Sequence, residues 1–189
     1  MATHDSVIRL LLVEDQLDDA EHLISVLRNG GIAVRPSRPE TEEDLRSALK
    51  QQPVDLVLAN FVAKQLPFAQ VMECVNASGK DIPVIATVAA LNEETLLAVM
   101  EAGARSTALR SRPGHLQAVV RNEFTTLDQR RSVRRLEASL RETERRCDAL
   151  IASSRDPIAY AHEGMHIRAN QAYLEMFGYE SFEEIEGLP

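Results

Sequence analysis

From Ile8 to Leu109 the chain alternates short apolar runs with stretches where apolar side chains recur every three or four positions. Residues 8–13 (IRLLLV) form one such run, stopped by Glu14 and Asp15. Residues 54–60 (VDLVLAN) form another, with Pro53 before it and an irregular segment after it. Residues 81–87 form a third, and 32–34 and 106–109 are shorter and weaker. Runs this short, bounded by turn residues, read as strands buried on both faces. Pro83 lies near the start of its run, where a missing N–H is tolerated. Between the runs, Leu23, Ile24 and Leu27 lie on one helical face, ended by Gly30 and Gly31. Thr41 and Asp44 have the capping-box spacing ahead of Leu45, Ala48 and Leu49. A helix is expected around 71–75, and Asn92 caps another through Leu96, Leu97, Val99 and Met100, closed by Gly103. This alternation predicts an α/β domain: a five-stranded parallel doubly wound sheet with helices on both faces.

The texture changes after Pro113. Residues 116–152 contain neither Gly nor Pro. Val119, Val120, Phe124 and Leu127 suit a helix face packed on the preceding domain. Val133, Leu136, Leu140, Thr143, Cys147 and Leu150 then follow at steps of three and four among Arg and Glu, a short heptad seam. Two chains pairing along this seam is the first expectation, and a helix folded back on its own domain is the other. At 1.5 Å per residue the helix would be about 55 Å long, a spacer between domains. Residues 153–157 break it. Residues 158–161 and 165–168 read as two strands joined by a hairpin at Gly164, Asn170 caps a helix ended by Gly178, and 181–185 starts another. This last stretch is too apolar for a tail and too small for a core, so it is expected to be the start of a second domain. The expected boundaries are 1–125, a helical linker 126–153, and 154–189.

Composition narrows the function classes. The 189 residues are 44% hydrophobic and 26% charged, and no apolar stretch is long enough for a membrane span. The first six residues lack a signal-peptide pattern. Cys74 and Cys147 offer neither a disulfide framework nor zinc spacing, which fits a reducing cytoplasm. A net charge of −8 disfavours nucleic acid as a partner. Lysine occurs only at 50, 64 and 80.

Chemistry in an open parallel sheet sits at the carboxyl ends of the strands, here at Glu14, Asp15 and Asn60. The order of these motifs over about 7–125 resembles the receiver domain of two-component response regulators, a flavodoxin-like fold. The resemblance implies that Glu14 and Asp15 match an acidic pair that holds magnesium, as hard oxygen ligands would. It also implies four departures. Asn60 stands where the family has its phosphate-accepting aspartate, Val88 where it has a switch Ser or Thr, Thr107 near a switch aromatic, and Arg110 in place of a lysine. Acyl phosphate formation needs an ionised carboxylate, and an amide is no substitute. Asp55 lies at the wrong end of its strand, and Thr87 is expected to point to the opposite face. Arg110 is expected to pair with Glu14 or Asp15, or else to face solvent. Glu14 and Asp15 are weak metal candidates only.

The end of the chain resembles the start of a PAS domain, through Asp156–Pro157–Ile158, the Gly164 hairpin, Asn170–Gln171–Ala172–Tyr173 and Phe177–Gly178–Tyr179. Tyr160, Tyr173, Phe177 and Tyr179 are expected to be packing residues. Receiver, long helix and PAS start together resemble the N-terminal part of the FimX family. That resemblance implies downstream GGDEF and EAL domains, cyclic di-GMP binding by the latter, and a polar role in type IV pili and twitching motility. The whole implies a non-enzymatic, non-phosphorylatable signalling, dimerisation and protein-interaction module, with no cofactor in this stretch and no membrane insertion. The expected partners are a second copy of the chain and an unknown protein at the receiver surface, with 92–102 and 115–121 matching a face that the receiver family often uses for dimers. Two other readings stand: an active phosphoacceptor, opposed by Asn60 and Arg110, and a DNA-binding regulator, opposed by the net charge.

Overall fold

A computed structural model of the chain describes residues 7–188. The strands and helices alternate as β1 (Ile8–Val13), α1 (Leu17–Asn29), β2 (Val34–Ser37), α2 (Glu42–Gln51), β3 (Leu56–Asn60), α3 (Phe68–Ala77), β4 (Val84–Val88), α4 (Glu93–Glu101), β5 (Ser106–Leu109) and α5 (Pro113–Ser153). The five strands form one parallel sheet in the order β2-β1-β3-β4-β5. The period-two alternation of each strand sends its side chains into two apolar layers. Leu10, Leu12, Leu56, Leu58 and Ile85 meet α1 and the first part of α5. Leu11, Val13, Val57, Ala59, Val84, Ala86 and Val88 meet α2, α3 and α4. Burying each such Leu or Ile stabilises the fold by about 1.5–3 kcal/mol.

Local signals account for most element ends. Thr41 and Asp44 form the reciprocal capping box, and Asn92 accepts from the Thr95 N–H at 2.7 Å. The second strand begins later than the pattern suggested, because Ile32 still belongs to the exit of α1. Its N–H bonds back to the Leu27 carbonyl, and Gly31 takes a φ of 75° that suits glycine. Pro36 is accommodated because β2 is the sheet's edge strand.

Contacts divide the chain into two compact units, one up to Arg131 and one from Ser132. The first outlasts the boundary expected at 125 because Leu127 is fully buried and Arg130 and Arg131 are tied to the core. Helix α5 runs on without interruption for 41 residues, about 60 Å. In the second unit it is followed by the antiparallel pair β6 (Ala159–His162) and β7 (Met165–Ala169), α6 (Gln171–Phe177) and a 3-10 turn at Phe182–Glu184. Leu174, Ile185 and Asn170 are its buried residues among those described. Tyr173 is half-buried against Phe177, but Tyr160, Phe177 and Tyr179 are exposed, contrary to their expected role in packing. Two strands and a seven-residue helix offer too little surface to cover them. None of the described helices is long and apolar enough to cross a membrane.

Candidate functional site

Glu14, Asn60 and Thr87 meet at the carboxyl end of the sheet. Each lies two residues past a member of the same apolar layer, namely Leu12, Leu58 and Ile85, so strand parity turns all three to one side. The Asn60 amide donates to Glu14 Oε2 at 3.0 Å, and its own carbonyl accepts from the Val62 N–H at 3.2 Å. The Thr87 hydroxyl faces Glu14 Oε1 at 3.5 Å. From the loop after β5, Arg110 reaches Glu14 Oε2 at 3.3 Å and Asp19 Oδ2 at 2.9 Å. Burial pushes the Glu14 carboxyl up from its ordinary value, and Arg110 and Asn60 counter part of that rise.

One expectation is corrected here. Val88 does not line the pocket. It packs into the opposite layer beside Val84 and Ala86, and Thr87 takes the pocket position. The register explains why: Asn60 pairs with Thr87 across β3 and β4, so Thr87 shares its face. Arg110 pairs with Glu14, one of its two expected partners, and also with Asp19. The Asp15 carboxylate instead accepts the backbone N–H groups of Lys64 (2.9 Å) and Gln65 (3.1 Å), which hold it below the usual carboxylate range. Its main chain and that of Glu14 are held by Arg38, whose guanidinium donates to both carbonyls. Thr107 is half-buried on β5, away from these contacts.

These residues do not fit a magnesium ion. Asp15 is already engaged as a loop cap, Glu14 faces an amide donor and a guanidinium, and the nearby Asp19 carboxylate is bound to Arg110. Among the described residues no cluster of three or more His, Cys, Asp or Glu side chains could hold a metal.

No family model matches the chain, and no curated protein does. Solved structures do. A CheY-like response-regulator receiver domain from Methanospirillum hungatei is 15% identical, with a TM-score of 0.54 over 66% of this chain and 99% of that one. The receiver domain of a putative LuxO repressor protein from Vibrio parahaemolyticus is 16% identical, with a TM-score of 0.58 over 68% and 98%. A receiver domain of a Pseudomonas aeruginosa sensor histidine kinase, described with magnesium in its cleft, is 19% identical, with a TM-score of 0.54 over 64% and 99%. The fold of the first unit is the receiver fold.

At the opposite end of β3 the receiver unit holds a second charged cluster, one that the pattern of the sequence did not single out. Asp55, 2% exposed, accepts from the Arg9 backbone N–H (3.0 Å), Arg9 Nε (2.8 Å), Arg9 Nη2 (2.6 Å) and Arg131 Nη1 (2.6 Å). Burial alone would raise its pKa, but these bonds outweigh burial and bring it down to about 2. The adjacent Arg130 grips Asp81 with two bonds of 3.0 Å. Neighbouring arginines on α5 thus fasten the helix beneath the sheet. Beyond them, Val133, Leu136, Leu140, Thr143, Cys147 and Leu150 are all exposed, Leu136 and Leu150 each at 71%. Among the described residues nothing covers the seam. On α4, Leu96, Leu97 and Met100 are exposed as well.

Proposed function

We propose that this chain is a pseudo-receiver, a signalling and interaction module that does not take a phosphoryl group at its former acceptor position. The observation that carries this reading is the Asn60 amide donating into Glu14 beside Arg110. The position that would attack phosphorus is a neutral donor, without the carboxylate nucleophile the reaction needs. The cation that would meet a phosphate is already paired with two carboxylates. The residues that would hold the metal are likewise spent on Lys64, Gln65 and Arg110. Incubation with magnesium and acetyl phosphate, or with a beryllofluoride mimic, is expected to leave the intact mass and the NMR spectrum of the pocket unchanged. A stoichiometric adduct at this pocket overturns the reading.

The output is pairing of two chains through α5. An exposed apolar seam flanked by Arg and Glu is stable when a second copy of the same seam covers it. Sedimentation of the full chain is expected to give a dimer. Leu136→Asp with Leu140→Asp is expected to give a monomer with unchanged helical content. A monomer at high concentration in the unsubstituted chain sinks the pairing idea. The second unit is read as the start of a PAS domain, and the order receiver, helix, PAS start supports placement in a cytoplasmic cyclic di-GMP protein of polar type IV pilus assembly. A fluorescent fusion that stays diffuse in a twitching cell counts against that finer placement.

A further inference from the structure

Asn170 is a buried amide, 3% exposed, in a unit that has few other buried residues. The sequence marks it only as a helix cap, and it does cap α6, with Oδ1 accepting from the Tyr173 N–H at 3.0 Å. That is a minor part of what it touches. The same oxygen accepts from the Ile158 N–H at 2.9 Å, at the entry to β6. Its NH2 group points the other way, into three main-chain carbonyls: Ile151 at 3.1 Å, Asp156 at 2.9 Å and Ser154 at 3.4 Å. Ile151 lies in the last turn of α5, and its carbonyl otherwise accepts only a long 3.3 Å bond from the Ser154 N–H among the bonds described. The Asn170 backbone N–H adds a bond to the Ile158 carbonyl at 2.9 Å. Both donors and both acceptor sites of one side chain are thus used. The bonds join four segments: the end of α5, the turn after it, the start of β6 and the start of α6. Close by, Arg168 on β7 pairs with Asp148 on α5 at 2.5 Å, an exposed contact worth little by itself.

The ties leave the seam free. Asp148 follows Cys147 by one position, about 100° around the helix, and Ile151 takes part through its main-chain carbonyl, not its side chain. Cys147 and Leu150 remain exposed. Attachment of the hairpin therefore leaves the seam side chains Cys147 and Leu150 uncovered.

We propose that Asn170 is the joint that fixes the end of the long helix to the two-stranded module. A twist or shift of the paired helices then reaches β6 and α6 instead of being absorbed in the turn at 154–157. The proposal rests on the helix-pairing reading above for its input, but the joint itself is separately testable. Asn170 is a positioning residue, acting through the backbone groups it holds.

Asn170→Asp separates the two halves of the side chain. A carboxylate caps α6 as well as an amide does and still accepts from Ile158 and Tyr173, but it cannot donate to Ile151, Ser154 and Asp156. In the full chain, amide hydrogen exchange at Ala152, Ser153 and Ser154 is expected to rise about tenfold in Asn170→Asp, with Tyr173 and Leu174 unchanged. Asn170→Ala is expected to loosen both sets. No change at 152–154 in Asn170→Asp overturns the joint. Transmission is read by breaking the seam with Leu140→Asp and following NMR amide shifts. With Asn170 in place, the shifts of Ile158 and Tyr173 are expected to move when the dimer dissociates. In chains that also carry Asn170→Asp they are expected to stay. If they fail to move in the first case, or move equally in both, the proposal falls. If Leu140→Asp leaves sedimentation unchanged, the pairing reading fails instead, and the exchange comparison still judges the joint.

Discussion

The two ends of β3 carry the same kind of problem and solve it in opposite ways. At the carboxyl end, where a receiver fold does its chemistry, the strand ends in an amide. Asn60 and Arg110 surround a single buried carboxylate, Glu14, whose ionisation the site penalises. At the amino end the strand begins beside a carboxylate, Asp55, whose ionisation the site favours through four hydrogen bonds from Arg9 and Arg131. A buried charge that is fully paired holds elements together, while the neutral donor at the other end meets a carboxylate already bound to an arginine. The strand has kept its geometry while its strongly stabilised charge stands at the end that grips α5.

The largest test of this contrast is truncation at each end. Asp55→Ala leaves two guanidinium groups facing each other without a carboxylate and is expected to cost about 3 kcal/mol in chemical denaturation. Asn60→Ala removes the amide's bond to Glu14 and its contact with the Val62 N–H but strands no charge, and is expected to cost about 1.5 kcal/mol. Equal costs would erase the distinction. Acid comes next. The folded pKa of Asp55 lies near 2, below its unfolded value, so the stability it contributes is present above pH ~4 and lost as pH falls toward 2. The loss is expected to be about 2 kcal/mol, and Asp55→Asn is expected to flatten that part of the profile. A wild-type profile no steeper than the variant's would remove Asp55 from the account.

Asn60→Asp reverses the sign at the other end. A second carboxylate beside Glu14 repels it, so both protonate more readily in the folded state than in the unfolded one. The variant is expected to lose about 1–2 kcal/mol at pH 7 and to recover as pH falls, the opposite trend to Asp55. Recovery on raising the pH would contradict the pocket as described. The smallest test concerns which residue of β4 faces it. Val88→Thr puts a hydroxyl into the apolar layer and is expected to cost about 1 kcal/mol or more. Thr87→Val gives up one long 3.5 Å contact and is expected to change stability by under about 0.5 kcal/mol. The reverse ranking would restore Val88 to the pocket.

Much of this was legible in the residues. The order of strands and helices, the caps at Thr41, Asn92 and Asn170, the amide at the end of β3 and the apolar seam on α5 all follow from local pattern. The face of β4 did not, because a strand's parity is known only once its register against a neighbour is fixed. Counting two residues on from Ile85 in the shared layer is the signal that would have found Thr87. Asp19 was visible only as an acid in the first turn of α1, and its meeting with Arg110 joins residues far apart in the chain. The clamp at Asp55 was hidden for the same reason. Arg9, Asp55 and Arg131 lie on three separate stretches, and nothing about their spacing marks them as partners. Asn170 was recognised as a cap because capping is local, but its bonds to the end of α5 are not.

By itself the sequence determined which segments become strand or helix, and that β3 ends in an amide, since both depend on near neighbours and on residue identity. Only the tertiary structure decided which charges meet, which face of β4 looks into the pocket, and what Asn170 joins. Those outcomes depend on register and on contacts between distant segments, which become fixed when the two apolar layers close around the sheet and leave each buried polar group the few partners within reach.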